Sequence, residues 1–192
     1  IKANELKPLM SGMNKKTKII LWILLLTTID KLVKLVIHAY YMDVRFEIIP
    51  SLFEFAPVFN SNYSYINDLL NKKLNIDIGF IPHIVLYVVL QVVVTNIYIS
   101  FKIKLDNTFS WLLDTAIVFQ VSALLCALLG NVIWAEGVLD YIYLKPLYVF
   151  DLKDVYSWVF VFLFLAYKIK KKDQLKTVNL DPKDVIEYIK KA

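Results

Sequence analysis

Two aspartates, Asp140 and Asp154, flank a short segment, 141–153, read as a loop between two long apolar runs. The first run ends a few residues before Asp140 and the second begins at Asp154, so the interval returns both carboxylates to the same face of whatever the runs cross. Two close carboxylates cannot both ionise cheaply. Their titrations split, leaving one as a base that activates water and the other as an acid, which is the equipment for metal-free hydrolysis of an amide. Taken singly, each has a plainer explanation. Asp154 opens a helix, where an acid suits the free N–H groups and the backbone dipole, and Asp140 is a surface acid of a loop. Further polar residues favour a joint reading: Asp151 three positions before Asp154, Lys153 beside it, Asn131 near the top of the preceding apolar run, and Asn60 in an outer segment. They could converge on one wet site.

The elements that must position these groups follow from composition. The chain has 192 residues, 58% of them hydrophobic, with 4 Gly, 6 Pro, one Cys and two His, and a mean hydropathy of +0.56. That is too apolar for an ordinary soluble domain of this size. The single Cys126 excludes an internal disulfide framework, and two His with one Cys make a poor zinc site, so no metal is expected. The 12 Phe, 12 Tyr and 4 Trp gather near the ends of the apolar runs, as in a membrane-interface belt. Four segments, 19–41, 79–101, 109–134 and 154–167, are read as spans; the last is short and relies on Lys168 and Lys170 reaching the interface. Five Lys precede Ile19, two fall in 102–108 and eight follow from Lys168 onward, all on the side of the termini. The opposite side carries Arg45, Lys72, Lys73, Lys145 and Lys153. The positive-inside rule therefore puts both termini in the cytoplasm, and it accounts for the net charge of +5 without nucleic acid.

The fold class predicted is an all-α membrane protein of four transmembrane helices with a small strand-rich extracytoplasmic cap at about 42–78. The cap reading rests on Phe46-Glu-Ile-Ile and Leu52-Phe-Glu-Phe-Ala-Pro-Val-Phe, punctuated by Pro50 and Pro57. Residues 1–12 read as a linker remnant, 13–170 as the membrane domain and 171–192 as a polar cytoplasmic tail with a helix start at Asp181-Pro-Lys-Asp. The first span runs past Asp30 and Lys34 with no small-residue cleavage site after it, so it is a retained helix. Asp30 and Lys34, four apart, share a helix face; they are an ion pair towards a wet crevice or direct contacts of a substrate. Asp114 and Gln120 lie towards the cytoplasmic half of the third span and read as interhelical polar contacts.

Arranged in this order, the motifs resemble those of lipoprotein signal peptidase (signal peptidase II). Ile29-Asp30-Lys31-Leu32-Val33-Lys34 looks like the family's D-x-x-x-K element and Val58-Phe59-Asn60 like its outer Asn motif. Val138-Leu139-Asp140-Tyr141-Ile142 is similar to V-x-D-F, and Phe150-Asp151-Leu152-Lys153-Asp154-Val155 to F-N-x-A-D. The resemblance covers roughly 15–170 and maps the family's catalytic pair onto Asp140 and Asp154. It implies an aspartic peptidase of the bacterial inner membrane, working without metal or cofactor, with both termini cytoplasmic and the pair facing outward. It implies a substrate, a prolipoprotein whose Cys carries diacylglycerol, cut just before that Cys, with membrane lipid as the other partner; a monomer is expected. One carboxylate would deprotonate water while the other, protonated, polarises the carbonyl and then protonates the leaving amine. Asn60 and Asn131 would bind substrate backbone, and Asp30 with Lys34 would hold the polar framework.

The departures are as specific as the matches. The family's N-x-G-x-A-F run appears as Asn60-Ser-Asn-Tyr-Ser-Tyr65, and its G-N-x-I-D-R segment as Gly130-Asn131-Val-Ile-Trp134-Ala135, without the Asp or the Arg. In F-N-x-A-D the Asn is Asp151 and the small residue is Lys153, so a third carboxylate and an ammonium enter the site. Two other functions compete: a non-cleaving relative that binds lipoprotein signal peptides or inhibitors, and a small membrane scaffold in which the acids are ordinary ion-pair partners.

Overall fold

Asn14 begins the first long helix by accepting the Thr17 N–H at 2.8 Å, which fills one of the bonds a helix start leaves open. The computed structural model describes residues 13–61, 65–76, 78–177 and 190, with the backbone alone for 65, 66, 68 and 69. Its elements in chain order are α1 (Lys15–Tyr40), β1 (Phe46–Ile49), β2 (Phe53–Asn60), α2 (Tyr65–Leu74), α3 (Phe80–Lys104), α4 (Ser110–Ile133), β3 (Val138–Leu144), β4 (Tyr148–Phe150), α5 (Leu152–Lys170) and α6 (Lys172–Leu175). The remnant expected at 1–12 and the helix start expected at Asp181 lie outside the described residues.

Helix α4 is the axis of the bundle, packed against α5, α1 and α3. Its buried face includes Ser122, Ala123, Cys126, Ala127 and Gly130, small residues that let neighbouring backbones come close. The approach is tight enough that a Cβ on Gly130 would meet Val138 methyls at 3.2 Å. Lys15 and Asp114, each in the first turns of its helix, form an ion pair, while Tyr156 of α5 donates to the Leu26 carbonyl of α1 at 3.2 Å. Asp114 also accepts from Tyr98 at 2.8 Å and pairs with Lys102 at 3.2 Å, so it is an interhelical contact at the end of the bundle where α1 begins.

Helices α3 and α4, of 25 and 24 residues, are long and apolar enough to cross a membrane. Leu86, Val89, Leu90 and Val93 of α3, Leu24, Leu25 and Val36 of α1, and Phe162 and Leu165 of α5 are exposed. Such a surface suits hydrocarbon rather than water. Helix α5 runs three residues past Tyr167 through Lys168 and Lys170, and begins two residues before the expected Asp154, at Leu152.

The cap is a four-stranded antiparallel sheet in the order β1-β2-β3-β4. It corrects the reading of 141–153 as a plain loop and of Asp140 as a loop acid: Asp140 lies within β3, opposite Val58. The segment Val138-Leu-Asp-Tyr-Ile-Tyr-Leu is rich in β-branched and aromatic residues, and pairing with β2 satisfies backbone that would otherwise lie unbonded beside the bundle. Within 42–78, helix α2 follows the two expected strands. Pro57, which has no N–H to give the ladder, sits where the β2–β3 register shifts. The sheet docks through Leu139 and Tyr141, which pack with Ile37 of α1.

Candidate active site

Alternation along β3 sends Leu139 and Tyr141 to one side and Asp140 to the other. Asn60 is paired with Val138, two residues from Asp140, so it lies on Asp140's face of the sheet as a diagonal neighbour. Its Nδ2 donates to Asp140 Oδ2 at 3.1 Å. The chain then turns through β4 and starts α5 with a capping box: Asp154 N–H donates to Asp151 Oδ1 at 3.3 Å, and Asp151 N–H donates to Asp154 Oδ2 at 3.1 Å. Asp154 therefore does serve its helix as a first-turn acid. The same geometry also aims its carboxylate back at β3.

Asp140, Asp151 and Asp154 each bring a carboxylate oxygen to within 4.8 Å of the others. Oxygens so placed suit a hard divalent cation by type, but the chain's own Lys153 stands among them. Its Nζ lies 2.7 Å from Asp140 Oδ1, 3.0 Å from Asp151 Oδ1 and 3.2 Å from Asp154 Oδ2. The two candidate catalytic groups differ in access: the Asp140 side chain is 3% exposed and that of Asp154 36%.

Behind this cluster, Lys34 joins the first helix to the last. Its ammonium pairs with Asp151 Oδ2 and, at 3.2 Å, with Asp30 Oδ1, all three side chains being fully buried. Lys31 completes the chain of charges, pairing with Asp30 Oδ2 at 3.1 Å and donating to the Cys126 carbonyl at 2.8 Å. A buried charge is tolerable only with such partners. Burial alone would push the Asp151 carboxyl up, but the Lys153 and Lys34 ammonium groups prevail and hold it down to about 2. For Asp140 burial wins, with Asp151 adding to it against the pull of Lys153 and Asn60, and its carboxyl is raised.

Asp30, Lys34, Asn60, Asp140, Asp151 and Asp154 are thus brought together at one end of the bundle. Asn131 is placed differently: its Nδ2 donates to the Ala127 carbonyl of its own helix at 2.9 Å. A cavity of about 350 Å³ beside the site is lined in part by Asn60, Asp140, Phe59, Lys72 and Tyr148. Sequence reasoning brought Lys153 to the site without its contacts, and it missed Lys31 and Gly137. Lys153 stood out as a departure from the resembled motif, but its reach to Asp140 depends on how the capping box orients the first turn. Lys31 follows Asp30 by one and so should leave the helix in another direction, yet a carboxylate and a carbonyl both receive it. Gly137, at φ +111°, lies so close to β2 that a Cβ would stand 2.2 Å from the Asn60 carbonyl oxygen.

No known protein family and no curated protein matches the chain by sequence. Two solved structures share its fold, each described as a bacterial membrane enzyme determined by the in meso method, at 1.9 and 2.3 Å resolution. The first is 19% identical, with a TM-score of 0.58 over 80% of this chain and 94% of its own. The second is 14% identical, with a TM-score of 0.54 over 86% and 95%. The chain has the fold of these bacterial membrane enzymes.

Proposed function

We propose that the protein is an aspartic endopeptidase of the bacterial inner membrane that removes the signal peptide of diacylglyceryl-modified prolipoproteins just before the lipidated Cys. The observation that carries this reading is the meeting of the Asp140 and Asp154 carboxylates, from a strand and a helix start, with Asn60 bonded to Asp140. In this reading α1, α3, α4 and α5 all span the membrane, both termini are cytoplasmic, and the sheet lies outside. Asp30, Lys31 and Lys34 of α1 are then buried against the cluster rather than facing lipid, which is how charges within a span are made tolerable.

The reaction needs a water held by a carboxylate base, a donor to the scissile carbonyl and a proton for the leaving amine. Asp154, the more exposed of the pair, would hold the water. Asp140, fixed by Asn60, would face it across the cleft. The aromatic cap would lie over the peptide and limit bulk water. Asn60 would also be within reach of substrate backbone, and Asp151, Lys34 and Asp30 would hold the aspartates in place. Asn131 stays a candidate for backbone contact through its Oδ1, a buried atom with no hydrogen-bond partner among the described residues, while its Nδ2 stays on its own helix.

The ammonium of Lys153, placed on both aspartates, favours a second reading in which the protein binds lipidated signal peptides without cutting them. A gel-shift assay separates the two. Purified protein in lipid, given a diacylglyceryl prolipoprotein, should shorten it, and Asp140→Asn should not. Binding without shortening by the wild type would establish the non-cleaving reading.

A further inference from the structure

Lys153 is placed where an aspartic pair normally keeps a proton. Its ammonium is 2.7 Å from Asp140 and 3.2 Å from Asp154, and its side chain is 13% exposed. A shared proton gives two carboxylates one positive charge and a donor; Lys153 supplies both permanently. Resting on the peptidase reading, we propose that Lys153 is a third catalytic residue, whose ammonium polarises the scissile carbonyl while Asp140 and Asp154 both work as carboxylates.

The ammonium has three N–H groups and three carboxylate partners, so a substrate carbonyl must take the place of one. The bond to Asp151 is the easiest to release. Asp151 keeps the Asp154 N–H on the same oxygen and Lys34 on the other, and is never left unpaired. The step then balances. Asp154 takes a proton from water, and the oxygen attacks the carbonyl carbon. The C=O electron pair moves onto oxygen, where the Lys153 ammonium holds it. When the tetrahedral species collapses, the C–N bond breaks and the nitrogen takes the proton from Asp154. Lys153 ends as the ammonium it began.

The surroundings favour that charge pattern. Asp151, Lys34 and Asp30 stand behind the cluster, with Lys31 and Cys126 beyond them. Tyr87 of α3 and Tyr141 of β3 also feel these charges, and Lys72 of α2 lines the cavity beside Asp140. Asp30, Asp140, Asp151 and Asp154 thus face Lys31, Lys34, Lys153 and, across the cavity, Lys72; Lys153 alone touches three of these carboxylates, which keeps its ammonium charged. Burial raises Asp140, so acid rather than base is what silences the site.

The test is the pH profile of kcat/KM for lipidated prolipoprotein cleavage, from about pH 5 to about pH 9, a range in which an unperturbed lysine stays charged. The wild type should lose activity towards acid and hold it to the alkaline end. Lys153→Met should lose about 100-fold or more in kcat, and its remaining activity should fall above neutrality, because one aspartate must now carry the proton. A wild-type profile that falls on the alkaline side overturns the proposal without any variant. So does a Lys153→Met protein with unchanged rate and profile, or a faster one, which would make Lys153 a plug. In those cases the loss of cleavage in Asp140→Asn still upholds the peptidase. A wild type that cuts no lipidated substrate overturns the peptidase reading, and the role of Lys153 with it.

Discussion

Asn60 Nδ2 donates to Asp140 Oδ2 at 3.1 Å across the β2–β3 ladder, tying an outer strand to one candidate catalytic carboxylate. A hydrogen bond to a charged group is worth about 1.5–3 kcal/mol, so Asn60→Ala should lower kcat by about 10- to 100-fold. KM should change little if Asn60 acts chiefly on Asp140. A rise in KM at constant kcat would instead assign Asn60 to substrate binding.

Asp140→Asn and Asp154→Asn should each abolish measurable cleavage while leaving the fold intact. Asn at 154 can still accept the Asp151 N–H, which preserves the start of α5. Asp30→Asn should impair both folding and cleavage, since Lys34 and Lys31 both depend on that carboxylate. Cleavage rates and melting temperatures measured on the three variants separate the two kinds of effect.

Asp151→Asn should destabilise by roughly 3–5 kcal/mol near neutral pH, because it leaves buried ammonium groups short of a counter-ion. The pH dependence has a definite sign. Asp151 is held down to about 2, below the roughly 4 of an unfolded aspartate, so its contribution is present above about pH 4 and lost as pH falls towards 2. Asp140 is raised, so protonation favours the fold and opposes that loss. Melting temperatures from pH 6 down to 2 should show a shallower acid decline in Asp151→Asn than in the wild type.

Gly137→Ala should lower stability by about 1–3 kcal/mol, because the backbone is in a conformation that L side chains avoid and the new Cβ would strike the Asn60 carbonyl. Cleavage should fall further than the stability loss explains, since Asn60 must move. A variant with wild-type melting temperature and rate would contradict this placement.

The buried Cys126 is the chain's single cysteine, so new cysteines can report topology against a low background. In right-side-out vesicles a membrane-impermeant maleimide should label Ser61→Cys and leave Lys176→Cys unlabelled until the membrane is opened. The reverse pattern would contradict the outward placement of the sheet.

The four long helices were legible because apolar runs of some twenty residues leave the chain few alternatives. The Asp30–Lys34 pair was legible because a spacing of four is a local property of helices. Its third member, Asp151, pairs with Lys34 through a contact that no local spacing encodes. The half of strand β3 that carries Asp140 was missed for the same reason: residues 138–140 pair with β2, far back in the chain, and only 142–144 meet the nearby β4, so Asp140 reads as a loop residue when seen alone. The place of Lys153 depends on both features at once, the capping box that orients its turn and the strand that brings Asp140 to meet it.

The most direct test is to let the wild type cleave a diacylglyceryl prolipoprotein in ¹⁸O-labelled water and to weigh both products. A water-activating Asp140–Asp154 pair predicts one fragment that begins at the lipidated Cys and a signal peptide whose new carboxylate carries one ¹⁸O, with neither formed by Asp140→Asn or Asp154→Asn. A cut at another bond, products that persist in either variant, or a bound but uncut substrate would contradict it.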